Sequence, residues 1–154
     1  MSSSPVHYFA PIGRLLLALI FVASAAGKFN DWQGTVNMIA EKGMPAPDAL
    51  LSIAVALEII GGVSVIVGLY ARLGALVLLA FLVPVSVIMH NFWALEGAER
   101  MPEMISFMKN VSISGGIVLV LAFGAGPCSI DRLLERKPKS KPEAAPQPPP
   151  VAPS

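Results

Sequence analysis

Residues 49–70 read ALLSIAVALEIIGGVSVIVGLY, an apolar run broken by one charge, Glu58. About 20 apolar residues rising 1.5 Å each cross the ~30 Å hydrocarbon core of a bilayer as a helix. A carboxylate near the middle of such a helix costs about 2.5–3.5 kcal/mol on insertion scales, so it faces a partner or a cavity and not lipid. Gly61 and Gly62 follow within one turn and let a second helix approach closely. The run therefore places the chain in a membrane and raises the question of what Glu58 meets there.

The remainder of the chain supplies neighbours for that helix. Residues 11–29 are apolar between Arg14 and Lys28, and Pro11 suits a first helical turn because its missing N–H is not needed there. Arg14 and Lys28 are placed to snorkel to opposite interfaces. The same segment also fits a cleavable signal peptide, with Arg14, the apolar run 15–22 and Ala23-Ser24-Ala25; cleavage would leave three spans and expose Ala26. Residues 73–89 form a further uncharged span with Pro84 inside it, where a kink or a freed carbonyl is expected. Residues 104–126 form the last, with Lys109 and Asn110 near its start and Gly115-Gly116 deeper. Between the first two spans, residues 35–42 carry Val36, Ile39 and Ala40 at the spacing of a short interfacial helix.

The sequence thus predicts an all-α fold, a four-helix transmembrane bundle with helices over about 11–29, 49–70, 73–89 and 104–126. Residues 1–10 form an N-terminal segment, 11–131 the membrane domain, and 132–154 a Pro-rich, disordered tail without apolar periodicity. Charged residues make up only 14% of the chain, against about 25% in a soluble domain, and they cluster between the apolar blocks. A net charge of +1 gives no reason to expect nucleic acid as a partner. A single cysteine, Cys128, excludes an intrachain disulfide and a CxxC redox pair, and with only His7 and His90 beside it no metal site is expected.

Counting Lys and Arg by side orients the bundle. Arg14, Arg72, Arg132, Arg136, Lys137, Lys139 and Lys141 share the side of the termini, against Lys28, Lys42, Arg100 and Lys109 on the other. Both termini are therefore expected in the cytoplasm. In that topology Lys28, Glu58, His90, Lys109 and Asn110 all belong to the outer half of one bundle, where a carboxylate, two ammonium groups, an imidazole and an amide make a polar pocket. Glu58 and His90 are the candidate catalytic groups, and Lys28, Lys109 and Asn110 the candidate substrate-binding ones. The plainer reading is structural, with Glu58 salt-bridged to Lys28 or Lys109 to fix helix order. The glycine pairs read as packing positions. His7 and His90 fall on opposite sides, which disfavours haem.

Several local motifs occur in a recognisable order. Arg14 opens the first span and Gly27-Lys28-Phe29 ends it. Gly43-Met44-Pro45 precedes the second span, which holds Glu58-Ile59-Ile60-Gly61-Gly62 and exits through Gly68-Leu69-Tyr70-Ala71-Arg72. His90 follows, then Phe107-Met108-Lys109-Asn110 with Gly115-Gly116, then Gly126-Pro127 and Ser129-Ile130-Asp131. From about residue 14 to 131 the chain resembles the DoxX family of small four-span bacterial membrane proteins. The resemblance implies an uncleaved first helix and a multi-pass location in the bacterial plasma (inner) membrane. It also implies a component of a quinone- or sulfur-linked redox or oxidative-stress system, an oxidoreductase subunit with a quinone as its ligand and a soluble or membrane redox partner. Other members look like accessory proteins, so the alternative is a non-catalytic scaffold or assembly factor for a partner enzyme. A homo-oligomer is compatible with either, and small-molecule transport by four spans without convincing repeats is the weaker expectation.

Overall fold

The computed structural model describes residues 8–135. His7, most of the N-terminal segment and the Pro-rich stretch after residue 135 lie outside the described residues. The chain forms α1 (Phe9–Asn30), α2 (Trp32–Glu41), α3 (Pro47–Val67), α4 (Ala71–Met89), two single 3-10 turns (Phe92–Ala94 and Gly97–Glu99), α5 (Arg100–Phe123) and α6 (Ile130–Glu135). Among the described residues, four helices are long and apolar enough to cross a bilayer. The four-span all-α architecture expected from the sequence is the one observed.

Local chemistry sets the boundaries. After α1, the Asp31 carboxylate accepts the Gly34 backbone N–H at 3.1 Å, capping the start of α2. The helix expected from residue 35 therefore begins three residues earlier. Ala46 lies in the left-handed region at φ 49° and Pro47 opens α3, so this helix starts two residues before the expected 49. It stops at Gly68, where φ is +69° and the Gly68 and Leu69 N–H groups both bond the Ser64 carbonyl. α4 runs without a break through Pro84. α5 begins at Arg100, because Pro102 falls in its first turn, where it is tolerated. Residues 132–135, expected to open the tail, finish α6 instead.

α3 is the central helix, packed between α1 and α4, with α5 on the far side of α4 and only lightly touching α1. The glycine pair of α3 explains how one helix serves two neighbours. A side chain on Gly61 would come within 2.7 Å of Leu78 on α4, and one on Gly62 within 3.1 Å of Val22 on α1. Successive helical positions are 100° apart, so adjacent glycines open two different faces to close approach. Gly116 admits Leu17 of α1, whereas Gly115 faces open space, so the second pair has one packing position and not two. The main core joins Ala18, Phe21, Val65, Ala75, Leu78, Phe81, Leu82 and Ile117. A second core under α2 joins Ala25, Val36, Ile39, Leu51 and Val55. Outside these, Leu16, Ile60, Leu73 and Leu119 are each about 60% exposed or more, a surface suited to lipid.

Arg14 departs from the sequence expectation. It does not snorkel. It is 4% exposed, and its guanidinium donates to the carbonyls of Ala125 and, at 2.8 Å, Cys128. Asp131 completes the same knot by accepting Tyr70 N–H at 2.6 Å and Ala71 N–H at 3.0 Å, while its own N–H bonds the Gly68 carbonyl. These bonds tie α1, the α3–α4 turn and the segment after α5 together at one end, here called the base. α2 and the 3-10 turns lie at the opposite end, the top.

Candidate functional site

Along α1, Ser24 and Lys28 are one turn apart and project together. Lys28 leans inward from the helix end and its Nζ lies 2.8 Å from both Oε1 and Oε2 of Glu58, with Ser24 Oγ at 2.6 Å. Glu58 is 2% exposed. Phe81 of α4 closes the far side, its ring centroid 5.8 Å from the ammonium. The carboxylate in the middle of α3 is therefore matched by a cation, and that ammonium in turn by the Ser24 hydroxyl and an aromatic face, the company a buried ion pair needs.

This pair forms part of the wall of a cavity of about 490 Å³ in the upper half of the bundle. All five residues expected from the sequence border it: Lys28, Glu58, His90, Lys109 and Asn110. They do not all bond one another. Lys109 is exposed and makes no ion pair with Glu58. His90 Nδ1 lies 2.7 Å from Glu103 Oε2 on α5. Asn110 is 6% exposed, and its side-chain amide has no hydrogen-bond partner among the described residues. The remaining wall is mostly apolar, including Ile20, Leu57, Phe81 and Ile113. Such a chamber, apolar with a few convergent polar groups, suits a small amphipathic ligand.

α1 and α5 pack lightly against each other, with one close approach near the base. Leu17 seats on Gly116 there, and above this level α2 crosses from α1 to α3 as a lid, contributing Thr35, Met38 and Ile39. Lys42 Nζ reaches Asn91 Oδ1 at 3.2 Å, linking the end of α2 to the turn after α4. Phe92, Trp93 and Phe107 form an aromatic cluster beside it, with centroids 5.3–5.7 Å apart. Sequence reading missed Ser24, Phe81 and Glu103. Ser24 carries a weak signal in its four-residue spacing from Lys28; Phe81 and Glu103 carry none, because only helix packing brings them in.

A model of the family described as DoxX matches residues 9–91 of this chain, more than half of it. The chain belongs to the DoxX family. Lys28, Glu58 and His90 fall inside the matched stretch, and Lys109 and Asn110 beyond it. Among curated proteins, the chain is 34% identical over 121 residues to inner membrane protein YphA of Escherichia coli, covering 79% of this chain and 86% of that protein. It is 32% identical over 126 residues to inner membrane protein YqjF of the same organism, covering 82% and 92%. A more distant likeness, 23% identity over 131 residues, is to a Surfeit locus protein 4 homolog of Drosophila melanogaster, of which it spans 42%. No solved structure matches this chain. The protein is an integral membrane member of the DoxX family.

Proposed function

We propose that the upper cavity binds a small redox-active molecule, a quinone or a small sulfur compound, and that the protein is a membrane component of the redox system that uses it. Asn110 is the observation that supports this most directly. The residue is largely buried, borders the same cavity as the Lys28–Glu58 pair, and its side-chain amide makes no hydrogen bond among the described residues. An amide without a partner in the fold that borders a cavity is free to donate to and accept from a ligand atom there.

The chain's own groups fit a quinone. Asn110 is a donor for a carbonyl oxygen, Lys28 is a fixed positive charge beside it whose N–H groups are held by Ser24 and Glu58, and Ile20, Leu57 and Ile113 are apolar wall for the ring and its tail. When bound, a quinone supplies two-electron, two-proton redox chemistry. Glu58 is the group that takes or gives a proton at its carboxylate oxygens. Lys28 balances the charge on Glu58, and Phe81 backs the ammonium. His90, held by Glu103, is the second proton-bearing group on the wall, and Lys109 at the edge attracts an anionic substrate. In this reading the protein sits in the bacterial inner membrane, in line with the names of YphA and YqjF, with both termini cytoplasmic as the Lys and Arg excess at the base favours.

One observation favours a second reading, a non-catalytic scaffold or assembly factor: both oxygens of Glu58 are already satisfied by Lys28. The test that separates the two is solvent extraction and mass spectrometry of small molecules from detergent-purified protein, wild type beside Glu58→Gln. A quinone retained by the wild type and lost from a folded variant supports the redox reading. Ordinary lipid alone in both shifts the assignment to the scaffold.

A further inference from the structure

A second cleft, of about 870 Å³, lies at the base, on the opposite end of the bundle from the Glu58 cavity. We propose that it is a binding site for the phosphate headgroup of an anionic phospholipid. Its walls include Arg72 at the start of α4 and Arg132 on α6. Arg72 Nη2 donates to the Ala122 carbonyl at 3.1 Å, which pins the guanidinium at the end of α5 and uses one of its five N–H donors. Two acids border the same cleft. Asp131 keeps its charge but has both oxygens held by the Tyr70 and Ala71 N–H groups; Glu135 is the second acid. The two arginines are the groups with N–H donors left to offer a phosphate.

The apolar part of the cleft distinguishes a lipid from a soluble anion. Phe123 is 79% exposed at the end of α5 and Leu73 is 60% exposed one residue after Arg72. Both flank the cations at the ends of spanning helices, where acyl chains begin and phosphates lie. Each cation near an anionic membrane surface strengthens binding roughly fivefold.

The experiment uses the full chain reconstituted in vesicles of phosphatidylcholine with a minority of phosphatidylglycerol. After extraction in mild detergent, the phospholipids retained by the protein are quantified by mass spectrometry. Wild type is expected to hold phosphatidylglycerol at several times its share of the vesicle. Arg132→Gln and Arg72→Gln are each expected to lower that enrichment roughly fivefold, and Arg72→Lys to keep most of it. Arg132 makes no side-chain hydrogen bond among the described residues, so its variant decides the matter even where loss of Arg72 unfolds the chain. Retention equal to the vesicle composition overturns the proposal. So does saturable binding of inorganic phosphate by the detergent-solubilised protein without any enrichment of phosphatidylglycerol, which would mark a site for the free anion. An enrichment unchanged in Arg132→Gln overturns the cleft as its location.

Discussion

The Lys28 ammonium bridges both carboxylate oxygens of Glu58 at 2.8 Å, across 30 residues of sequence and from one spanning helix to the next. Both groups sit at helix positions that otherwise face apolar side chains, so each is the reason the other is tolerated. Removing one partner strands the other. Loss of one side of a buried pair typically costs about 3–5 kcal/mol, and Lys28, whose side chain is 21% exposed, places this case near the lower figure. Lys28→Met is therefore expected to lower thermal stability in detergent by about 3 kcal/mol. The double variant Lys28→Met with Glu58→Leu is expected to recover most of it, because no charge is then left buried. Equal stabilities for the single variant and the wild type would show that the pair contributes nothing to the fold.

Asn110 separates ligand binding from stability. Replacing an amide that makes no hydrogen bond within the fold by a hydrocarbon of similar size removes no hydrogen bond and adds apolar area to a largely buried position. Asn110→Leu is expected to melt at the same temperature as the wild type or higher, and to retain less of whatever small molecule co-purifies. A variant that melts well below the wild type would mean that the amide serves the fold.

The glycines of α3 and α5 give a matched comparison. A Cβ on Gly61 would meet Leu78 at 2.7 Å, and Gly115 has nothing within 4 Å. Gly61→Val is expected to destabilise by about 1–3 kcal/mol through overpacking. Gly115→Ala is expected to be neutral or to stabilise by about 0.5–1 kcal/mol through helix propensity. Thermal unfolding of the two variants side by side checks the assignment, and a reversed order would show that α3 and α4 are not in close contact at Gly61.

Asp131 caps the start of α4 from 60 residues away, by accepting the N–H groups of Tyr70 and Ala71. Asp131→Ala is expected to cost about 1–2 kcal/mol, the range for loss of a helix cap. Because the same bonds tie the segment after α5 to the α3–α4 turn, amide exchange at Tyr70 and Ala71 should rise with the loss of stability. Unchanged exchange there would mean that water replaces the carboxylate without consequence.

Much of this architecture was legible from one dimension. Four apolar runs of bilayer length leave a chain little choice but four spanning helices, since lipid satisfies no backbone polar group and each span must pair its own. The rarity of charges inside those runs singled out Glu58, and counting spans brought Lys28, His90, Lys109 and Asn110 to the same end of the bundle. The local boundaries were less legible. The start of α2 depended on the Asp31 cap, and the end of α3 on a left-handed Gly68, features that periodicity does not register.

What the sequence alone determined was therefore which segments cross the membrane and which end each polar group occupies, because hydropathy and helix rise act on every residue locally. What only the tertiary structure decided was who meets whom. Lys28 took Glu58 while Lys109 stayed at the cavity edge, His90 turned to Glu103, and Arg14 went inward to the Ala125 and Cys128 carbonyls instead of outward to water. Those choices depend on helix rotation and on the gap between α1 and α5. Both follow from how Gly61, Gly62 and Gly116 let neighbouring backbones approach, a property of pairs of helices and not of any one stretch of chain.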